Sequence, residues 1–240
     1  MSLDIILTVA ITSFIQSIFG VGVLLFGTPL LMLQGYNFFQ TVIVLLPISL
    51  LINLFQISKD YRALDIVFYK NILIYTIPCI VIFLIFIKET KINIGILIGV
   101  FLLIVSAKDF SARANKIVNF LVRYEKSYLI LMGIVHGLTN LGGSLLTAFV
   151  HAKGYEKSII RATIAASYAT FAIFQIVTLL VSGFDIDIKF SMIASSMAVG
   201  LTIFFATEKI IYLEIDANAY SKLFAGFVFL SGALLCVKSV

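Results

Sequence analysis

Charge is scarce in this chain: 12% of its 240 residues are Asp, Glu, Lys or Arg, while 61% are hydrophobic and the mean hydropathy is +1.13. A soluble domain carries roughly 45 to 50% apolar residues, so the composition excludes an ordinary water-soluble globule and points to a membrane. Paired carboxylates are missing from the apolar segments, since Asp65, Asp109, Glu156 and Glu208 fall at segment ends or in loops. There is no His-x-x-x-His pair, no Gly-x-Ser-x-Gly turn and no Gly-x-x-x-x-Gly-Lys-Ser/Thr phosphate loop. General acid–base, metal, acyl-transfer and nucleotide chemistry all lose their usual footholds, so neither an enzyme nor a cofactor or metal is expected. The two cysteines, Cys79 and Cys236, sit inside apolar segments without metal or redox spacing and read as packing residues. The net charge of +5 resides in short loops, which is membrane anchoring and not a nucleic-acid footprint. Met1-Ser2-Leu3-Asp4 lacks a basic start and no small-residue cleavage site follows, so the first apolar segment is expected to be retained.

What is present is a series of apolar runs at about 3–34 (broken), 41–58, 69–87, 92–110, 128–152 (broken), 159–183, 190–211 and 219–238. The first is interrupted by Gly20-Val21-Gly22, leaving one arm up to about Gly20 and a shorter one to about Gln34. A broken backbone survives in lipid only where protein or a water-filled cavity satisfies it, so the break is a hinge or a site. It recurs 120 positions later, where His136 falls on Gln16, Asn140 on Gly20 and Gly142 on Gly22. One deletion later, at an offset of 119, Gly35-Tyr36 falls on Gly154-Tyr155 and Phe55-Gln56-Ile57 on Phe174-Gln175-Ile176. The expected fold is an all-α integral membrane protein of two homologous four-segment repeats: 1–108, a basic linker 109–126 that is either plain or an amphipathic surface helix, and 127–240.

If the broken segments span fully, Lys and Arg divide ten against seven between the two faces. If each is a hairpin that enters and leaves on one face, they divide thirteen against four, with Lys88, Lys91, Lys189 and Lys238 on the poor side. The second split is a strong positive-inside signal and places both termini outside the cytoplasm, in a cell inner membrane. It also leaves three crossings per half, which makes the repeats inverted, as in many secondary transporters. Kinked spans with parallel repeats are the alternative.

The second arm of each hairpin would start near the membrane centre, where unpaired amides and a positive helix end suit an anion. Gln16, Gly20 and Gly22 at the first break, and His136, Thr139, Asn140, Gly142, Gly143 and Ser144 at the second, are therefore candidate substrate-binding residues. Asn53 and Gln56 join them from a polar stripe with Ser49, and Gln175 and Tyr168 from the sixth segment beside the stripe Thr163, Ser167 and Thr170. His136 is the one titratable side chain placed deep in the apolar body, fit for pairing with an anion or carrying a proton. Each of these has a plain structural counterpart: close helix packing for the glycines, interhelical hydrogen bonding for the hydroxyls and amides, a carbonyl-bonded neutral ring for His136.

The Gly-x-Gly break followed by Thr28-Pro29-Leu30-Leu31, its glycine-rich second copy from Gly137 to Gly143 and the duplicated eight-segment plan together resemble the sulfite exporter TauE/SafE family of membrane permeases. The chain departs from many relatives in having Val23-Leu24-Leu25 where they carry a richer glycine run. The resemblance implies a secondary or passive permease whose partner is a small sulfite- or sulfonate-like anion, with membrane lipid around it and a homo-oligomer left open. A non-transporting membrane scaffold or assembly factor is the alternative function.

Overall fold

A computed structural model describes residues 3–90, 92–110, 123–183, 188–211 and 217–239, and all the regular structure in them is helical. In chain order the helices are α1 (Leu3–Phe19), α2 (Val23–Leu33), α3 (Phe38–Asp60), α4 (Ile66–Asn71), α5 (Ile77–Glu89), α6 (Ile94–Phe110), α7 (Glu125–Thr139), α8 (Gly143–Ala152), α9 (Lys157–Val181), α10 (Phe190–Ile211) and α11 (Ala217–Ser239). A 3₁₀ turn at Tyr61–Ala63 follows α3, and a π turn at Ile72–Thr76 joins α4 to α5. The central part of the predicted linker, 111–122, lies outside the described residues.

Among the described residues, four stretches are long and apolar enough to cross a membrane: Phe38–Ala63, Ile66–Glu89, Lys157–Val181 and Phe190–Glu208. The arms of the broken segments are shorter. α2 has 11 residues and α8 has 10, roughly 15 Å each and half of a hydrocarbon core. The exterior is apolar in stripes, Leu3, Leu7, Ile11 and Phe14 along α1 and Ile173, Val177 and Leu180 along α9. Thr12, Ser13 and Gln16 on α1 and Ser167, Thr170 and Gln175 on α9 are buried instead. Water would leave such a surface aggregating; lipid solvates it, and the polar atoms then gather inside. This is the surface of a multi-pass membrane protein.

Both broken segments fold back on themselves. At the far end of the first pair, Gln34 Nε2 donates to Thr8 Oγ1 at 2.9 Å and the Tyr36 hydroxyl to Asp4 Oδ2 at 3.1 Å. At the far end of the second, Lys153 Nζ lies 3.1 Å from Glu125 Oε2. The turns between arms share a left-handed residue: Gly20 takes φ +74° and its counterpart Asn140 takes +61°, while Gly35 and Gly154 after the second arms are also left-handed at +104° and +68°.

The halves interlock. α1 packs on α10 as α7 packs on α5, α3 lies against α10 as α9 lies against α5, and the counterparts α3 and α9, and α6 and α11, pair with each other. Exchanging every helix for its mate in the other half returns these pairings, while the contacts of α2 with α11 and of α6 with α7 have no such counterpart. The open end of the α1–α2 pair meets the end of α11, where Lys238 Nζ donates to the Leu33 carbonyl at 2.8 Å. The open end of the α7–α8 pair meets the α3–α4 turn and α4, where Lys153 Nζ lies 3.9 Å from Asp65 Oδ2 and Asn71 Nδ2 donates to Glu125 Oε1 at 2.6 Å.

Candidate functional site

At the second break a chain of hydrogen bonds runs from one half into the other. Gln175 Nε2 donates to Asn140 Oδ1 at 3.3 Å, and Asn140 Nδ2 donates to Thr28 Oγ1 on α2 at 3.1 Å. With its amide nitrogen so engaged, Gln175 turns Oε1 toward His136 Nε2, 3.1 Å away, so that ring nitrogen carries the proton. His136 Nδ1 is then a buried acceptor without a hydrogen-bond partner. His136, Asn140, Gln175 and Thr28 are all 1% exposed or less. The ring of His136 also lies 4.7 Å from that of Phe171, one turn before Gln175.

The first break uses the same positions differently. Gln16, the mate of His136, accepts from the Val23 backbone N–H through Oε1 at 2.9 Å and donates through Nε2 to Asn53 Oδ1 at 3.4 Å. It thereby caps an orphan amide at the start of α2. Asn53 Nδ2 in turn donates to the Ser49 carbonyl at 2.7 Å and its hydroxyl at 3.1 Å. Gln56, the mate of Gln175, is left with a buried Oε1 that has no partner. Its Nε2 faces Gly20, 3.9 Å from the place a Cβ there would take.

Of the remaining predicted residues, Thr139 and Ser144 spend their hydroxyls on the turn itself. Thr139 Oγ1 donates to the Val135 carbonyl at 2.6 Å and accepts from Leu141 N at 3.1 Å; Ser144 Oγ donates to the Leu141 carbonyl at 2.9 Å. The glycines divide by what surrounds them. A Cβ on Gly22 would come within 2.7 Å of Gln16 N and the Thr12 carbonyl, and one on Gly142 within 2.5 Å of His136 Cβ and 2.6 Å of the Met132 carbonyl. Thr12 and Met132 are themselves repeat mates, so both glycines let the second arm lie directly on the backbone of the first. A Cβ on Gly143 would fall 1.6 Å from the Tyr168 hydroxyl, which places that side chain over the start of α8. At Gly20 alone of the four is the space open.

Thr28, which belongs to the Thr-Pro pair after the first break and is not among the predicted site residues, accepts through its hydroxyl a hydrogen bond that links the two hairpins. A second feature invisible in the sequence is an ionic cluster where the halves meet. Glu208, 7% exposed, holds Lys59 at 2.7 Å and Arg161 in a closer pair, and Arg161 Nε lies 3.7 Å from Asp60. Nearby, burial works against the charge of Asp65, but the Phe68 backbone N–H, the Tyr155 hydroxyl and the Lys153 ammonium together hold its carboxyl below the usual range. Burial likewise opposes the charge on Lys153, and Glu125 and Tyr155 outweigh it, raising the ammonium above its ordinary value. Among the described residues no cluster of His, Cys, Asp and Glu could hold a metal ion.

No curated protein and no solved structure matches the chain. A family model described as sulfite exporter TauE/SafE matches residues 5–235, nearly the whole length and both breaks, and the chain belongs to that family of membrane transporters of sulfite-type anions.

Proposed function

We propose that the protein is a secondary or passive permease for a small organosulfur or related anion, working by alternating access about a site between the two hairpin tips. The observation that carries this reading is the Asn140–Thr28 bond, which brings the tip region of one hairpin against the second arm of the other in the middle of the polar interior. Supporting it, the two hairpins open onto different clusters of helix ends, and α3 leads from one cluster to the other. Read as opposite membrane faces, these give inverted repeats of three crossings and one hairpin each, with repeat boundaries at 1–108 and 127–240. The face of Lys59, Lys153, Lys157 and Arg161 is then cytoplasmic by the positive-inside rule, in a cell inner membrane, and both termini lie outside. Neutral donors would hold the anion, since no lysine or arginine is buried among the described residues.

Rocking of one half against the other would break the ionic cluster at Glu208 on one face, while the opposite face is tied by lysine-to-carbonyl bonds, Lys238 to Leu33 and Lys88 to Ser182. A scaffold without transport is the second reading, and the specific observation in its favour is that Gly22 and Gly142 are occupied by their own hairpins. Counterflow of sulfite and sulfonates in proteoliposomes separates the two: saturable exchange is expected, and its absence with all anions tried hands the case to the scaffold. For the topology, single cysteines at Asn37 and Lys157 should label from opposite faces; labelling from one face ends the inverted-repeat reading.

A further inference from the structure

The two breaks share a left-handed residue, Gly20 in one and Asn140 in the other, and differ in their contents, so the filled one serves as a template for the other. In the second, the carboxamide of Gln175 is engaged on both sides: Asn140 Oδ1 accepts from its nitrogen at 3.3 Å, and His136 Nε2–H donates to its oxygen at 3.1 Å. An acceptor and a donor sit side by side against one amide. In the first, Gln56 occupies the same repeat position and is 1% exposed. Where the second break has Asn140, the first has Gly20, and a Cβ built there would lie 3.9 Å from Gln56 Nε2. Where the second has His136, the first has Gln16, turned away to Asn53 and to the Val23 N–H. The result is a buried Gln56 Oε1 with no partner, on a side chain whose Nε2 faces the break. Native structures leave few such atoms without a reason.

We propose that the first break is a binding site for a small oxyacid monoanion that keeps one proton, an X(=O)–OH group of which bisulfite is the example. One oxygen accepts from Gln56 Nε2, as Asn140 does from Gln175, and the hydroxyl donates to Gln56 Oε1, as His136 does to Gln175. The second break is the same site filled by the protein's own side chains. This rests on the anion-permease reading and narrows it. A fully deprotonated dianion carries acceptors only and would set an oxygen against Gln56 Oε1, and no buried lysine or arginine among the described residues offsets its second charge. Bicarbonate shares the donor–acceptor pair, and the measurement separates it from bisulfite.

The test is isothermal titration of the purified full chain in detergent with bisulfite, bicarbonate and methanesulfonate. Bisulfite and methanesulfonate are monoanions of similar size, and only the first carries a hydroxyl. Bisulfite is expected to bind at least about tenfold more tightly than methanesulfonate. Gly20→Asn copies the left-handed Asn140 and should remove bisulfite binding while the melting temperature holds. Should that variant not fold, Gln56→Met carries the test by erasing the preference between the two anions. Bicarbonate binding with the same losses supports the site and assigns it to carbon oxyacids. Equal affinity for bisulfite and methanesulfonate, or bisulfite binding intact in either folded variant, overturns the proposal. If counterflow persists in that case, the permease reading survives and only this site falls; loss of both binding and counterflow in the wild type removes both.

Discussion

The first helix break and the second share a left-handed residue, Gly20 and Asn140, and engage their corresponding glutamines differently. Asn140, His136 and Gln175 close on one another and reach across to Thr28 with the Gln175 amide bonded on both sides and His136 Nδ1 left over, whereas at the first break it is the amide oxygen of Gln56 that is buried and unbonded. Bulk has also moved between helices. Gly143 faces Tyr168 in the second half, and the matching positions of the first half are Val23 and Ser49, a large residue on the arm and a small one on the long helix. At corresponding positions one break has its glutamine amide bonded on both sides and the other does not. In a bilayer that difference is affordable only because the surrounding helices keep lipid away from the unbonded atom.

The exchange of bulk gives the largest expected effect. Gly143→Val drives a side chain into Tyr168 and should destabilise the folded protein by about 1–3 kcal/mol through overpacking, read as a lower melting temperature in detergent. Adding Tyr168→Ser, which completes the copy of the first half, should restore most of the loss; a double variant no better than the single one breaks the comparison.

Next in size is the contrast between the two glutamines. Gln175→Leu strands His136 Nε2–H and Asn140 Oδ1 in the interior and should cost about 1–2 kcal/mol. Gln56→Leu removes an oxygen that already lacks a partner, so its melting temperature should fall by much less or rise. Equal destabilisation by the two would mean that the first break is as closed as the second.

The smallest effect concerns the loop ends, where only the second hairpin is tied by charge. Asp65 has its folded-state pKa depressed, so it contributes stability that is complete above the ordinary Asp value of about 4 and is lost as pH falls through the lowered value. Lys153 is raised, so its share is complete below about 10 and fades as pH rises through the higher value. Melting curves of the wild type and Asp65→Asn should therefore separate near neutrality and converge in strong acid. Curves that stay parallel down to low pH would remove Asp65 from the tie.

Sequence alone determined the membrane class, because the apolar content leaves no other solvent for the chain, and the helices, because each apolar run matches the length of a span or of half a span. Their bounds agree with the observed helices to within about three residues at each end, from α3 at Phe38–Asp60 to α11 at Ala217–Ser239. The recurrence of the break was legible too, since Gly20 and Asn140 both take a left-handed conformation that few residue types tolerate. Repetition in sequence, however, says which positions correspond and not which side chains meet. Gln16 and His136 correspond, yet one turns to Asn53 and the other to Gln175, a choice made by the rotamers that neighbouring helices leave available. The same holds for the glycines: a glycine permits a ligand or a helix to approach, and only the packing of α1 against α2 and of α7 against α8 decided that Gly22 and Gly142 receive backbone while Gly20 faces open space.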